Sequence, residues 1–130
     1  MGRNVGNLLP LDSKYFIHQG NFFDLAAELA PYDAVISNPP YIAEAVVPTL
    51  SREVQSEPKL ALVGGVLGTE ILKHFVALGF QVLKPGGILM SEIGSDQGEE
   101  SLEILNQMGF HSCELLKDYA GLPRLVKGIK

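Results

Sequence analysis

The stretch Asp33-Ala34-Val35-Ile36-Ser37-Asn38-Pro39-Pro40-Tyr41 decides the fold class of this chain. Three consecutive apolar residues, two of them β-branched, predict a short parallel strand over residues 33–37 that is covered on both faces. In open α/β sheets, ligands bind beyond the carboxyl ends of such strands, which is where the tetrapeptide Asn-Pro-Pro-Tyr follows. Its two prolines have fixed φ angles, and Pro39 also restricts Asn38, so the sequence predicts a rigid loop at a binding site.

The tetrapeptide suits methyl transfer to a planar, weakly nucleophilic nitrogen, such as that of a carboxamide or an exocyclic aromatic amine. The side-chain oxygen of Asn38 and the backbone carbonyl of Pro39 can each accept one N–H of the substrate, which would hold the nitrogen in line and favour its developing positive charge. Tyr41 can pack on the planar group. The alternative is an ordinary tight turn with a surface tyrosine, but the position directly after a buried strand favours the site.

The elements on either side of this stretch alternate between strands and helices. Before it, we expect the end of a helix within residues 2–9, a strand over 14–18 and a short helix that begins at Phe22. After it, we expect a long loop over 42–67, then a helix over 68–83 with Thr69 as a possible cap, a strand over 88–93 and a helix over 99–108. Two antiparallel strands over 110–117 and 122–129 complete an α/β fold with a mostly parallel sheet and a C-terminal hairpin.

Composition limits the classes of function. The 130 residues, 46% of them hydrophobic, suffice for one globular domain. The net charge of −5 argues against tight binding to a nucleic-acid backbone. The single cysteine, Cys113, excludes an internal disulfide and fits a packing role in a reducing compartment. The histidines, His18, His74 and His111, lack metal-ligand spacing, so no metal site is predicted.

Targeting signals are also missing from the sequence. No apolar stretch approaches the length that crosses a bilayer, and the N-terminus lacks the apolar segment of a signal peptide. We therefore expect a soluble, cytoplasmic protein that has no membrane partner.

Several motifs beyond the tetrapeptide resemble those of class I methyltransferases that use S-adenosylmethionine, and among these the release-factor glutamine N5-methyltransferases (HemK-like). The resemblance runs from about Gly20 to the C-terminus. The motifs are Asn38-Pro39-Pro40-Tyr41-Ile42, Glu57-Pro58, Gly64-Gly65, Leu83-Lys84-Pro85-Gly86-Gly87, Glu92-Ile93-Gly94 with Gln97-Gly98, and Asp118-Tyr119-Ala120-Gly121 with Arg124. Amino-methyltransferases that act on adenine or guanine share the tetrapeptide, whereas the Glu-Pro and Glu-Ile-Gly elements with the closing Asp and Arg single out the glutamine enzymes.

The resemblance implies methylation of the glutamine in the Gly-Gly-Gln segment of peptide chain release factors, by direct displacement at the sulfonium methyl of S-adenosylmethionine. Asn38 and Pro39 would be catalytic, and with Pro40 and Tyr41 they would bind the substrate. Asn21, Phe22 and Asn38 would contact the cofactor. The family usually has an acidic residue at the position of Asn21, whose carbonyl can still accept a hydrogen bond from the adenine amine.

Other residues of these motifs have structural alternatives to a ligand contact. Glu92 can cap the end of a strand, Arg124 can pair with Asp118, and Gly64-Gly65 can form a turn.

Two motifs of the family's cofactor site are absent from this sequence. The family's glycine-rich cofactor loop, and the acidic residue that ends its second strand, have no counterpart, while residues 1–13 resemble only the helix after that strand. We therefore expect residues 1–130 to form one partial methyltransferase domain that lacks the first two strands, has little activity alone and can self-associate through exposed sheet surface. Two alternatives remain: an amino-methyltransferase that acts on a nucleic-acid base, and a non-catalytic peptide-binding module.

Overall fold

The computed structural model describes residue 14 and residues 16–130. Its main sheet has four strands in the order β1 (Tyr32–Ser37), β4 (Leu83–Glu92), β6 (Pro123–Ile129) and β5 (His111–Lys117). β1 and β4 pair in parallel, and β6 lies antiparallel between β4 and β5. Three strands therefore run in one direction and only β6 is reversed, which confirms the predicted α/β fold with its C-terminal hairpin.

The two longest helices cover one face of this sheet. They are α4 (Glu70–Val82) and α5 (Gly98–Met108), and they pack on each other and on the strands. The spacing of apolar residues along α4 aims Leu72, Phe75 and Val76 into a core that includes Leu89 of β4 and Val126 of β6. Both helices lie within a residue or two of their predicted bounds, because long periodic segments give the strongest sequence signal.

Burial along β1 differs from the prediction. Val35 is buried, but the flanking Ala34 and Ile36 are exposed, Ile36 to 71%. The strand is therefore covered on one face rather than two, because α4 and α5 lie on a single side of the sheet and no other described element covers the opposite face of β1.

The predicted strand over residues 14–18 is wrong for the residues that the structure describes. Residues 14 and 16–18 form no regular structure, and Phe16 and Ile17 are 84% and 54% exposed. A strand needs a neighbour to satisfy its backbone N–H and C=O groups, and no described strand lies beyond β1 to supply one. The helix end expected within residues 2–9 lies outside the described residues. The short helix expected at Phe22 is present as α1 (Phe22–Leu25).

The segment predicted as a loop over 42–67 contains several short elements. They are β2 (Ile42–Ala43), a 3₁₀ helix (Glu44–Thr49), α2 (Arg52–Gln55), α3 (Lys59–Leu62) and β3 (Val63–Gly65). β2 and β3 pair in parallel as a separate two-stranded sheet. Each element is too short to show a period in the sequence.

The register of the main sheet brings two loops together. Ser37, the last residue of β1, pairs with Ser91 of β4. The tetrapeptide after β1 and the turn after β4 therefore lie at the same edge of the sheet, where α/β folds place their ligand sites. Within residues 14 and 16–130, none of the helices combines the length and apolar character that a membrane span requires.

Candidate functional site

The tetrapeptide forms one wall of a cavity of about 400 Å³, here called the tetrapeptide cavity. Asn38 is exposed and Pro39 is buried, so the loop is anchored through its first proline while the carboxamide side chain stays accessible. The residues around the cavity are Asn38, Pro39, Pro40, Tyr41, Ile42, Leu50, Val54, Glu57, Ala61 and Leu62. All four predicted substrate-binding residues thus line one space, together with Glu57 of the Glu-Pro motif.

Glycines pack directly against the backbone of the tetrapeptide. A Cβ atom on Gly64 would lie 2.6 Å from the carbonyl oxygen of Pro40 and 2.8 Å from Cα of Tyr41. A Cβ on Gly68, which has a φ of +90°, would lie 2.6 Å from the carbonyl oxygen of Tyr41. The Gly64-Gly65 motif is therefore more than a turn, because it lets β3 approach the loop closely. Sequence reasoning assigned no role to Gly68.

Tyr41 is fixed at its hydroxyl by the Glu-Ile-Gly motif. The hydroxyl donates a hydrogen bond to Oε1 of Glu92, at 3.3 Å. Burial raises the pKa of Tyr41, the nearby charge and hydrogen bond of Glu92 raise it further, and the charge of Arg124 opposes them. Glu92 therefore orients the side chain of Tyr41, a predicted substrate-binding residue, and does more than cap the end of the strand.

Gln97 fixes the backbone at the same end of the tetrapeptide. Its side-chain nitrogen donates to the carbonyl oxygen of Tyr41 at 2.8 Å, and its side-chain oxygen accepts from the N–H of Gly94 at 2.9 Å. The residue is only 9% exposed. One carboxamide thus connects the loops after β1 and β4. The sequence motif contained Gln97, but only the fold shows what it bonds.

Arg124 and Asp118 form the ion pair that the sequence offered as an alternative. Nε of Arg124 donates to Oδ2 of Asp118 at 2.8 Å. Oδ1 of the same carboxylate accepts from the backbone N–H groups of Ala120 and Leu122, at 2.9 and 3.0 Å. The hydrogen bond from Arg124, followed by these backbone contacts, lowers the pKa of Asp118, and the ion pair raises the pKa of Arg124. The carboxylate therefore holds the guanidinium in a defined place at the edge of the site.

The predicted cofactor-binding residues are not all together. Phe22 is 38% exposed and lines a separate cavity of about 350 Å³ beside β1, whereas Asn38 lines the tetrapeptide cavity. Oδ1 of Asn21 accepts a hydrogen bond from the N–H of Phe23 and so caps α1.

Asn21 and Phe22 have chemical groups that can contact an adenine, and Phe22 is the one of the two that lines this cavity. The accessible ring of Phe22 can stack on a base, and a second lone pair on Oδ1 of Asn21 can accept an amine N–H. The described lining of this cavity contains no Asp or Glu that could bind ribose hydroxyls.

Solved structures of methyltransferases share this fold. A methyltransferase from Pyrococcus furiosus superposes with a TM-score of 0.53 at 17% sequence identity, over 78% of this chain and 42% of that one. A release factor-specific protein-(glutamine-N5) methyltransferase from Alicyclobacillus acidocaldarius gives a TM-score of 0.53 at 23% identity, over 84% of this chain and 55% of that one. The fold is thus that of a class I methyltransferase, matched over part of its length.

Sequence comparison narrows the class to a family. The release factor glutamine methyltransferase of Clostridium acetobutylicum is 39% identical over 124 residues, which cover 94% of this chain and 44% of that protein. The protein of the same name from Moorella thermoacetica is 38% identical over 122 residues, 89% of this chain and 41% of that protein. No protein-family model matches the chain. The resemblance to the release factor glutamine methyltransferases is therefore confirmed, and the chain spans about two fifths of the length of these relatives.

Proposed function

We propose that this chain supplies the substrate side of a protein-glutamine N5-methyltransferase that acts on the Gly-Gly-Gln segment of peptide chain release factors. The observation that carries the proposal is the position of Asn38-Pro39-Pro40-Tyr41. The tetrapeptide follows a parallel strand and lines a cavity of about 400 Å³, in a chain that is 39% identical to a release factor glutamine methyltransferase.

The cavity would bind the carboxamide of the glutamine. Oδ1 of Asn38 and the carbonyl oxygen of Pro39 would each accept one of its two N–H groups. Both acceptors favour the positive charge that develops on nitrogen as the new N–C bond forms. The close contact of Gly64 with Pro40 and the hydrogen bond from Gln97 to Tyr41 hold the loop in place before substrate arrives, so little ordering is needed on binding.

Tyr41 would pack on the planar amide. The phenol is neutral at physiological pH, and the raised pKa of Tyr41 moves its ionisation further from that range, so the hydroxyl remains a donor to Glu92 and the ring presents its apolar face. No side chain need act as a general base, because the amide nitrogen becomes acidic only after it is alkylated. The proton can then leave to solvent.

The methyl donor would be S-adenosylmethionine, which supplies an electrophilic methyl group on a sulfonium when bound. Asn21 and Phe22 would hold its adenine, and Asn38 would face it from the tetrapeptide. The partner protein would be a peptide chain release factor.

A graft experiment tests the proposal. This chain replaces the matching residues of the Clostridium acetobutylicum relative, and transfer of a labelled methyl group is measured to a Gly-Gly-Gln peptide, to the same peptide with asparagine in place of glutamine, and to RNA and DNA. We expect transfer to the glutamine peptide alone, and loss of about a hundredfold or more of the rate with Asn38→Ala.

The matched control is Asn106→Ala, the same side-chain change at an exposed position near the end of α5. It should leave the rate unchanged. Methylation of nucleic acid without methylation of the peptide would replace the proposal with a base methyltransferase. Peptide binding without methylation would indicate a non-catalytic binding module.

A further inference from the structure

A second cavity of about 220 Å³ adjoins the tetrapeptide cavity. The two cavities share three lining residues, Tyr41, Ile42 and Leu50. The shared residues make the two cavities neighbours, so an extended ligand with one group beside Asn38 would place its next groups near Tyr41 and the second cavity. Of the residues assigned above to the glutamine carboxamide, only Tyr41 also lines this space.

Arg124 lines the second cavity and is held there from two sides. Asp118 accepts from its Nε, and the backbone carbonyl of Arg124 accepts from the N–H of Ile93 at 3.0 Å. Among the described residues, no hydrogen bond or ion pair occupies the other guanidinium nitrogens, and the side chain is 43% exposed. A fixed guanidinium with free N–H groups at the edge of a cavity is a hydrogen-bond donor site.

The charges around this cavity indicate what kind of acceptor fits. Asp96 lines the same space as Arg124, and Glu92 bonds the hydroxyl of Tyr41 on its wall. The cavity therefore has no excess of positive charge that would favour an anion. A peptide group is neutral and has both an acceptor for Arg124 and an N–H donor for Asp96.

We propose that the second cavity is a subsite for the main chain of the substrate next to the methylated glutamine, with Arg124 donating to a peptide carbonyl and Asp118 positioning the guanidinium. This proposal rests on the proposed function. With this subsite, the protein would bind a glutamine within an extended peptide more tightly than a carboxamide that has no peptide groups beside it.

Two probes separate the subsite from the tetrapeptide cavity. Butanamide has the carboxamide of a glutamine side chain but no peptide group, whereas a Gly-Gly-Gln peptide with flanking residues has both. Affinities of this chain for each probe are measured by NMR titration, with Arg124→Met, Arg124→Lys and, as the matched control, Arg52→Met at the exposed start of α2.

We expect wild-type protein to bind the peptide more tightly than butanamide. Arg124→Met should weaken peptide binding about tenfold, equivalent to about 1.4 kcal/mol, and leave butanamide binding within about twofold. Arg124→Lys keeps the charge but not the planar fork, so it should give an intermediate loss. Arg52→Met should change neither affinity.

Three results would overturn the subsite. Equal affinity of the wild type for both probes would show that the peptide groups contribute nothing, while the carboxamide cavity stands. Equal losses for both probes in Arg124→Met would show that Arg124 supports the fold rather than the main chain of the substrate. Failure of the wild type to bind either probe would remove the proposed function, and the subsite with it.

Discussion

Replacement of Gly64 by alanine tests whether the close backbone contact beneath the tetrapeptide sets the geometry of the site. The added Cβ would lie 2.6 Å from the carbonyl oxygen of Pro40 and 2.8 Å from Cα of Tyr41. Carbon atoms in contact lie about 3.5–4.0 Å apart, so the distance to Tyr41 is about 0.7 Å too short. These two neighbours, and the carbonyl oxygen of Gly68 that lies nearer still, are backbone atoms and cannot rotate away, so the loop, the turn at Gly68 or β3 must move.

The size of that shift sets the expected effects. Overpacking of this kind costs about 1–3 kcal/mol of the free energy of unfolding. The displaced loop should lose about one hydrogen bond to the amide, so butanamide binding should weaken by roughly tenfold. Gly86→Ala is the matched control. Gly86 has a φ of +78° with no described neighbour within 4 Å of an added Cβ, so the change adds about 1–2 kcal/mol of backbone strain away from the loop.

Two measurements separate the variants. Urea unfolding followed by circular dichroism gives the loss of stability, which should be similar in Gly64→Ala and Gly86→Ala. The NMR signals of the Asn38 side-chain amide and the affinity for butanamide report on the loop, and only Gly64→Ala should change them. If Gly64→Ala retains wild-type amide signals and wild-type butanamide affinity, the close contact does not position the tetrapeptide and the reasoning is refuted.

Three further predictions concern the groups that hold the site. Glu92→Gln should lower the pKa of Tyr41 without restoring its ordinary value, because burial remains and is the larger cause. This pKa is measured by ¹³C NMR of the tyrosine ζ carbons, with the signal of Tyr41 assigned from the Tyr41→Phe variant. An unchanged pKa would contradict the prediction. In the wild type, the raised pKa means that the contribution of Tyr41 to stability is complete below pH ~10 and is lost above it, since the unfolded tyrosine ionises first. Asp118→Asn should make stability depend less on pH below ~4. Because the pKa of Asp118 is lowered in the folded protein, its carboxylate stabilises the fold at pH values above its unfolded pKa of ~3.9. That contribution is lost as the pH falls through the pKa of Asp118 in the folded protein. Acid unfolding followed by circular dichroism tests this, and identical curves for the two proteins would show that the pair adds nothing. Gln97→Met should cost about 2 kcal/mol in urea unfolding because it leaves a carbonyl and an N–H without partners, whereas the exposed Gln81→Met should change stability by less than about 0.5 kcal/mol. Equal effects of these two glutamine substitutions would rule out the proposed link between the loops.

The parts of the fold that sequence predicted correctly are those with local signals. The periodic apolar residues of α4 and α5, and the turn residues between β5 and β6, act over short stretches of chain. The strand expected over residues 14–18 also had a local signal in its apolar residues. A strand forms only when a partner strand provides hydrogen bonds for its backbone N–H and C=O groups. Local pattern alone does not show whether that partner is present.

The same distinction applies to the site. The tetrapeptide could be recognised because its four residues are contiguous, and the structure places it at a cavity. Gln97 and Tyr41 are 56 residues apart, and the parallel register of β1 with β4 decides that they meet. The role of Gly68 also depends on the fold, because its φ of +90° and the packing of its turn against Tyr41 both favour a residue without a side chain.

The contact of Gly64 and Gly68 with the tetrapeptide has a consequence for redesign. This contact is between main-chain atoms, whose positions hardly depend on which side chains the neighbouring residues have. The side chains of Leu50, Val54 and Glu57, in and beside the short helix α2, also line the tetrapeptide cavity, and their substitution can change its width or polarity without altering that contact. A variant that accepts a bulkier or differently charged amide should therefore be sought among those three side chains.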